Sequence, residues 1–88
     1  MLEIKWTRPM KKDLKKYKHQ KDVIGTLQEI ILLLINKKPL PTINLDHPLN
    51  GNWVNHRECH VKNDVLLIYK TNDKFLYLSR FGSHSELF

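Results

Sequence analysis

The chain has 88 residues, 41% hydrophobic and 27% charged, with one cysteine and a formal net charge of +6. That length predicts one small domain, residues 1–88, with a thin core and a functional surface no larger than one sheet face or groove. The lone Cys59 excludes an internal disulfide framework, the first residues do not read as a secretory signal, and the longest apolar run, residues 30–35, is far shorter than the roughly 20 residues that span a bilayer, so a soluble, cytosolic protein without a membrane partner is expected.

Leu2, Ile4 and Trp6 alternate with Glu3 and Lys5, the period-2 signature of a half-buried strand over residues 2–6. Thr7 is a candidate N-cap, and Pro9 suits a first helical turn, where its missing N–H costs nothing. Met10, Leu14 and Tyr17 then recur at helical spacing, which leaves Lys11, Lys12, Lys15, Lys16 and Lys18 to cover the rest of an amphipathic, basic helix. All the excess charge lies here: residues 1–38 hold ten Lys/Arg against four acids, whereas residues 39–88 balance at five of each sign. A lysine run reads first as a solvated helix face. It also suits attraction to a phosphate backbone or another acidic surface.

Asp22 is the expected cap of a second helix, whose broad apolar face of Val23, Ile24, Leu27, Ile30, Ile31, Leu34 and Ile35 marks it as the core helix. Pro39 and Pro41 stop it. Residues 39–54, with three prolines and one glycine, read as a long extended loop, and loops of this length are functional more often than idle. In residues 56–62, Arg57, Cys59 and Val61 fall on one face and His56, Glu58, His60 and Lys62 on the other. Two further strands, residues 65–70 and 75–81, follow short turns and complete an antiparallel meander. The expected fold is α+β, in the order β-α-α-β-β-β, with two helices on one face of a small, mainly antiparallel sheet and the other face free for a ligand.

Histidines stand at 19, 47, 56, 60 and 84, a set suited to proton transfer or metal binding. Cys59 and His60 are adjacent on a strand and point to opposite faces, and the chain has no Cys-x-x-Cys pair, so no metal or other cofactor is expected; His47, His60 and Asp64 are the one combination that leaves a metal site open. Trp6, Trp53, Tyr69, Tyr77 and Phe81 read as core or rim packing, and Cys59 as a small buried hydrophobe.

The strings Asp46-His47-Pro48-Leu49-Asn50-Gly51-Asn52-Trp53, Arg57-Glu58-Cys59-His60-Val61, Asp64-Val65-Leu66-Leu67-Ile68-Tyr69-Lys70 and Arg80-Phe81-Gly82-Ser83-His84-Ser85-Glu86-Leu87-Phe88 resemble those of YafQ-type toxins in the RelE/ParE toxin–antitoxin superfamily. The resemblance covers nearly all of residues 39–88 in order, and the preceding β-α-α pattern and the length agree with it. It implies the compact microbial-ribonuclease fold and a bacterial, ribosome-dependent endoribonuclease that cuts messenger RNA in the ribosomal A site. The implied partner is an antitoxin, DinJ/RelB-like with a ribbon-helix-helix DNA-binding start, and the toxin, monomeric alone, would form a heterotetramer with it. Functional roles pass by resemblance to His47, His60, Asp64, Arg80, His84 and Phe88, and Val65 stands where members often carry an aromatic residue.

Metal-free RNA cleavage needs a base for the 2′-hydroxyl proton, cationic donors for charge developing at phosphorus, and an acid for the leaving 5′-oxygen. His84 is the candidate acid, Asp64 and His60 the candidate base and its orienting partner, and His47 a further participant or phosphate contact. Arg80 would hold the scissile phosphate, although strict alternation puts it on the face of Leu76 and Leu78, so a strand end or Gly82 must re-aim it. Phe88 either stacks on an unpaired base or closes the core with Leu87. The lysines at 11, 12, 15, 16 and 18, with Arg8, are assigned to ribosomal RNA or to an acidic antitoxin segment. Two other readings stay open: a non-catalytic, ParE-like toxin that binds a protein such as a gyrase, and a small basic RNA-binding module without chemistry.

Overall fold

The computed structural model describes residues 1–88. Strand β1 (Glu3–Trp6) leads into helix α1 (Arg8–Lys15), capped by the Thr7 hydroxyl, which accepts from the Met10 N–H at 3.1 Å. Met10 and Asp13 are the residues of α1 that are buried. The helix closes a turn earlier than its apolar spacing suggests, because the Lys16 and Tyr17 amides already bond three residues back, to Asp13 and Leu14. Lys16 and Lys18 therefore sit in the turn beyond the helix.

Helix α2 (Lys21–Ile35) buries Val23, Leu27, Ile30, Ile31 and Leu34, the stripe that its periodicity predicts. Gln20, not Asp22, holds the capping position; Asp22 is the second residue of the first turn, where its charge faces the positive end of the helix dipole. No helix in the chain is long and apolar enough to cross a membrane.

The segment after α2 is more ordered than a simple loop. One-turn 3-10 helices form at Thr42–Asn44 and Gly51–Trp53, and between them a short strand β2 (His47–Pro48) pairs antiparallel with β3 (Arg57–Lys62). A proline is tolerated there because β2 is an edge strand with no outer neighbour to bond. Asp46 ties the segment down by accepting from the Tyr69 hydroxyl and from Arg57 Nε, and the Asn44 amide donates to the His60 carbonyl at 2.8 Å.

Strands β4 (Val65–Thr71) and β5 (Phe75–Gly82) complete a five-stranded sheet in the order β1-β5-β4-β3-β2, antiparallel except for the β1–β5 pair. The helices cover one face, where Met10, Leu27, Ile30 and Leu34 close on Cys59, Leu67, Tyr69, Leu76, Leu78 and Phe81. The α+β expectation is correct in class and layering. The opposite face, expected to be free, is half covered: Leu66 and Ile68 are fully buried beneath Leu49, Trp53 and Leu87. Leu87 belongs to a short helix α3 (His84–Leu87). What stays open on that face is the β5 side and a strip beside α3.

Two bulges decide which side chains reach that strip. In β3–β4 the register shifts between His60 and Lys62, so Lys62 comes opposite Val65 instead of sharing the face of His60. In β4–β5, Ile68 pairs with Arg80 but Tyr69 pairs with Leu78, which leaves Ser79 as the extra residue.

Candidate active site

The Ser79 bulge turns Arg80 away from Leu78 and onto the face of Ile68, so the face assigned by strict alternation is corrected by one inserted residue. Glu58, Ile68 and Arg80 then form one row across β3, β4 and β5, and His60, Leu66 and Gly82 form the next, about 7 Å along the strands at ~3.4 Å per residue. A backbone carbonyl fixes the bulge: Ser79 O accepts from the Thr7 hydroxyl at 2.8 Å.

Asp13, buried at 5% exposure, holds Arg80 with both carboxylate oxygens, at 2.7 Å from Nε and 3.2 Å from Nη2, and also accepts the Phe81 N–H at 3.0 Å. This fork-on-fork pair orients the guanidinium and raises the Arg80 pKa, chiefly through the hydrogen bond that Arg80 donates to Asp13. With Nε–H and one N–H of Nη2 engaged, both N–H groups of Nη1 and the second of Nη2 are left for a phosphate.

After Gly82 the chain turns into α3 through a capping box: the Ser83 hydroxyl accepts from the Glu86 N–H, and Glu86 accepts from the Ser83 N–H at 2.8 Å. Glu86 also accepts from the Tyr17 hydroxyl at 2.8 Å and lies 3.4 Å from Lys16 Nζ. These donors, first the Ser83 amide and then the Tyr17 hydroxyl, draw the Glu86 carboxyl down to about 2. Burial, followed by the bond to Glu86, pushes Tyr17 up to about 12. A side chain at Gly82 would put its Cβ 2.8 Å from Glu86 Oε1, so glycine is what lets the carboxylate close the turn. Lys16, grouped by sequence with the RNA-facing lysines, thus serves the tail. Lys11, Lys12, Lys15 and Lys18 are exposed on the surface of α1 and the turn after it.

Docking of α3 presents His84 and Phe88. His84 Nδ1 lies 3.2 Å from Asp64 Oδ1, and the His84 backbone N–H donates to the same oxygen at 3.2 Å. Those two bonds, the backbone one first, lower the Asp64 pKa. The His84 ring centroid is 6.1 Å from that of His60 and 6.0 Å from that of Phe88. Leu87 is buried whereas Phe88 is 60% exposed, so of the terminal pair Leu87 closes the core and Phe88 does not.

The expected pairing of Asp64 with His60 is absent; Asp64 serves His84. The acid beside His60 is Glu58, which the sequence reading placed on the right face but gave no role. Glu58 is 4% exposed, and its Oε1 lies 3.7 Å from His60 Nε2 and 3.6 Å from His47 Nε2. His47 reaches it because β2 sets His47 directly opposite Glu58. The site therefore comprises two imidazole–carboxylate groups, His84 with Asp64 and His47 and His60 with Glu58, next to an arginine clamped by Asp13. Val65 is half-buried against the helix-side core, pointing away from them. The side chains of His47, His60 and Asp64 do not converge, and no group of three or more His, Cys, Asp or Glu residues could hold a metal ion. Cys59 is fully buried, and its thiol is pushed up to about 12 by burial.

A small basic sheet-and-helix protein with a histidine- and carboxylate-lined site open to solvent is the class that this geometry defines. The family described as "Bacterial toxin of type II toxin-antitoxin system, YafQ" matches residues 2–88, and the chain belongs to it. It is similar to the mRNA interferase toxin YafQ of Escherichia coli (strain K12), with 39% identity over 87 residues, 98% of this chain and 95% of that protein. Among solved structures, the fold is similar to a metal-bound toxin from Helicobacter pylori at a TM-score of 0.91 and 39% identity, covering 100% of both chains. The toxin chain of the E. coli DinJ–YafQ complex gives a TM-score of 0.88 at 37% identity, covering 100% of this chain and 99% of that one.

Proposed function

We propose that the protein is a ribosome-dependent endoribonuclease that cleaves messenger RNA in the ribosomal A site by metal-independent acid–base chemistry. The observation that carries this reading is the His84–Asp64 pair standing beside His60, with Phe88 exposed next to it. Asp64 occupies the Nδ1 side of His84, so Nε2 is the atom from which a proton passes to the departing 5′-oxygen. His60, oriented by Glu58, takes the 2′-hydroxyl proton; the 2′-oxygen attacks phosphorus, the P–O5′ bond breaks, and the products are a 2′,3′-cyclic phosphate and a 5′-hydroxyl. His47, on the other side of Glu58, contacts the phosphate or the ribose. Arg80 meets the phosphate charge through Nη1. Phe88 stacks on a base of the A-site message.

The E. coli relative is an mRNA interferase by name, and a solved E. coli complex pairs YafQ with DinJ. By that likeness the chain is a cytoplasmic bacterial toxin neutralised by a DinJ/RelB-like antitoxin with a ribbon-helix-helix domain, two toxins and two antitoxins assembling as a heterotetramer. Lys11, Lys12, Lys15 and Lys18 suit contacts with ribosomal RNA, whose phosphates fix orientation without reading sequence.

The test is a message translated by purified ribosomes in fixed magnesium, with protein prepared with and without a chelator that takes transition metals but leaves magnesium, followed by mapping of the RNA ends. Wild-type protein should yield A-site ends whether or not chelator is present and none without ribosomes; His84→Gln, at equal level and with an unchanged circular-dichroism spectrum, should yield none. Cleavage by His84→Gln at the wild-type rate overturns the assignment.

A further inference from the structure

The uncovered half of the sheet face holds a cavity of about 400 Å³ that the cleavage chemistry does not use, one row beyond Arg80 along β5. Trp53 and His56 border it from the loop side, and Lys70, Tyr77 and Arg80 from the sheet. The Trp53 and His56 rings meet edge to face, with centroids 5.2 Å apart at 80°, and His56 Nδ1 is anchored 3.1 Å from the Val54 carbonyl, so the two aromatic groups hold each other in place. Trp53 also rests against the buried Leu66–Ile68–Leu87 cluster. On the sheet side, Lys70 Nζ lies 5.1 Å from the Tyr77 ring centroid.

Aromatic faces with two cations and no carboxylate form a lining suited to an unpaired nucleotide, whose base stacks while its phosphate takes the charge. The contrast within the molecule is direct. The larger cavity, about 860 Å³ between α2 and the β3–β4 turn, sets three carboxylates, Asp22, Glu29 and Asp64, against Lys62 and His60 and offers no aromatic ring pair, so the stacking lining belongs to the smaller one. A volume near 400 Å³ lies in the range of roughly 300–1,000 Å³ typical of small-molecule sites, and Arg80 borders both this cavity and the candidate active site, so the two are neighbours.

We propose that this cavity is a base-stacking subsite for single-stranded RNA, holding the nucleotide adjacent to the scissile phosphate between Tyr77 and the Trp53–His56 pair, with Lys70 on its phosphate. The proposal rests on the endoribonuclease reading for the identity of the RNA, not for its binding chemistry. Phe88 and this subsite would grip the strand on the two sides of Arg80, and the base accepted here sets a sequence preference at that position.

The chain has two tryptophans, so Trp6→Phe leaves Trp53 as the only indole, and a His84→Gln background prevents cleavage during titration. Octaadenylate should quench Trp53 fluorescence saturably at fixed salt. Tyr77→Ser and Lys70→Gln should each weaken that binding by about tenfold, with Tyr77→Phe within about twofold of the parent. A ribose-phosphate chain of equal length without bases should leave Trp53 unquenched. Unchanged affinity in both Tyr77→Ser and Lys70→Gln with intact spectra overturns the subsite, as does equal quenching by the base-less chain. Message cleavage, measured separately with His84 intact, distinguishes the two readings. Base-dependent quenching without cleavage keeps the subsite and removes the endoribonuclease, whereas cleavage without quenching removes the subsite alone.

Discussion

Replacing Asp13 by alanine removes three hydrogen bonds at once, two from Arg80 and one from the Phe81 amide, in a place where Asp13 itself is 5% exposed. Breaking a buried ion pair from one side costs about 3–5 kcal/mol. Arg80 keeps 26% of its side chain exposed, so water takes over part of its solvation and the lower end, about 3 kcal/mol, is expected. For a domain of this size that is a fall in Tm of roughly 12–24 °C. Urea denaturation followed by far-ultraviolet circular dichroism would read it as a lowered midpoint with an unchanged slope. A double-mutant cycle with Arg80→Gln isolates the pair from the Phe81 bond, and its coupling should exceed about 1 kcal/mol. The milder Asp13→Asn keeps the shape but turns a donor amide toward other donors, so Arg80 loses its aim; message cleavage should fall on the order of a hundredfold, the scale of an ångström-level misplacement. Additive effects of Asp13→Ala and Arg80→Gln, or an Asp13→Asn protein that cuts like wild type, would refute the clamp.

The terminal pair should separate in function. Leu87→Ala is expected to cost about 2–3 kcal/mol because Leu87 is buried, whereas Phe88→Ala, at an exposed position, should change stability by less than about 0.5 kcal/mol while sharply reducing cleavage; equal destabilisation in urea would make Phe88 a core residue. Glu86 has a depressed pKa, so its anchoring of α3 is complete above its ordinary value of 4.5 and is lost as pH falls from there toward about 2; Asp64 shifts in the same direction. Amide exchange of α3 across that acid range should show the release, and a Glu86→Gln protein with the same acid transition would show that another group controls it. Glu58→Leu should hold or raise the urea midpoint, since Glu58 is a buried carboxylate whose imidazole neighbours stand at 3.6 and 3.7 Å, beyond hydrogen-bond distance, yet lower single-turnover cleavage by at least about tenfold, with Glu58→Asp recovering part of it. Wild-type cleavage by Glu58→Leu would remove Glu58 from the site.

Where a pattern repeats along the chain, the sequence predicted the structure well. The stripe from Val23 to Leu34 and the two hairpins bury the expected face, whereas the first strand's alternation holds at Leu2 and Ile4 but leaves Trp6, read as core or rim packing, 41% exposed. Single insertions and distant pairings escaped it. Ser79 resembles any other strand residue, and only the register against β4 reveals it as the extra one that re-aims Arg80. Asp13 reads as a lone acid in a lysine run because its burial depends on β5, 67 positions away. His47–Pro48 is too short for periodicity to register, and Pro48 argues against a strand until the edge position is known. Two signals were present and unused: the Ser83–Glu86 spacing of a capping box ahead of Leu87, and the shared face of Glu58 and His60.

The parallel β1–β5 pair has a kinetic consequence. The meander from β3 to β5 brings His60 and Asp64 near His84 through contacts close in sequence, but the Thr7–Ser79, Asp13–Arg80 and Tyr17–Glu86 bonds, the last of which secures α3, span 72, 67 and 69 positions. Loops of that length close late, because their entropy is spent before the contacts return it. A chain folded only as far as its hairpins would thus carry its imidazoles without an aimed guanidinium. Docking of β1 and α1 would then arm the molecule in a last, all-or-none step, and an intermediate caught short of it would be inert.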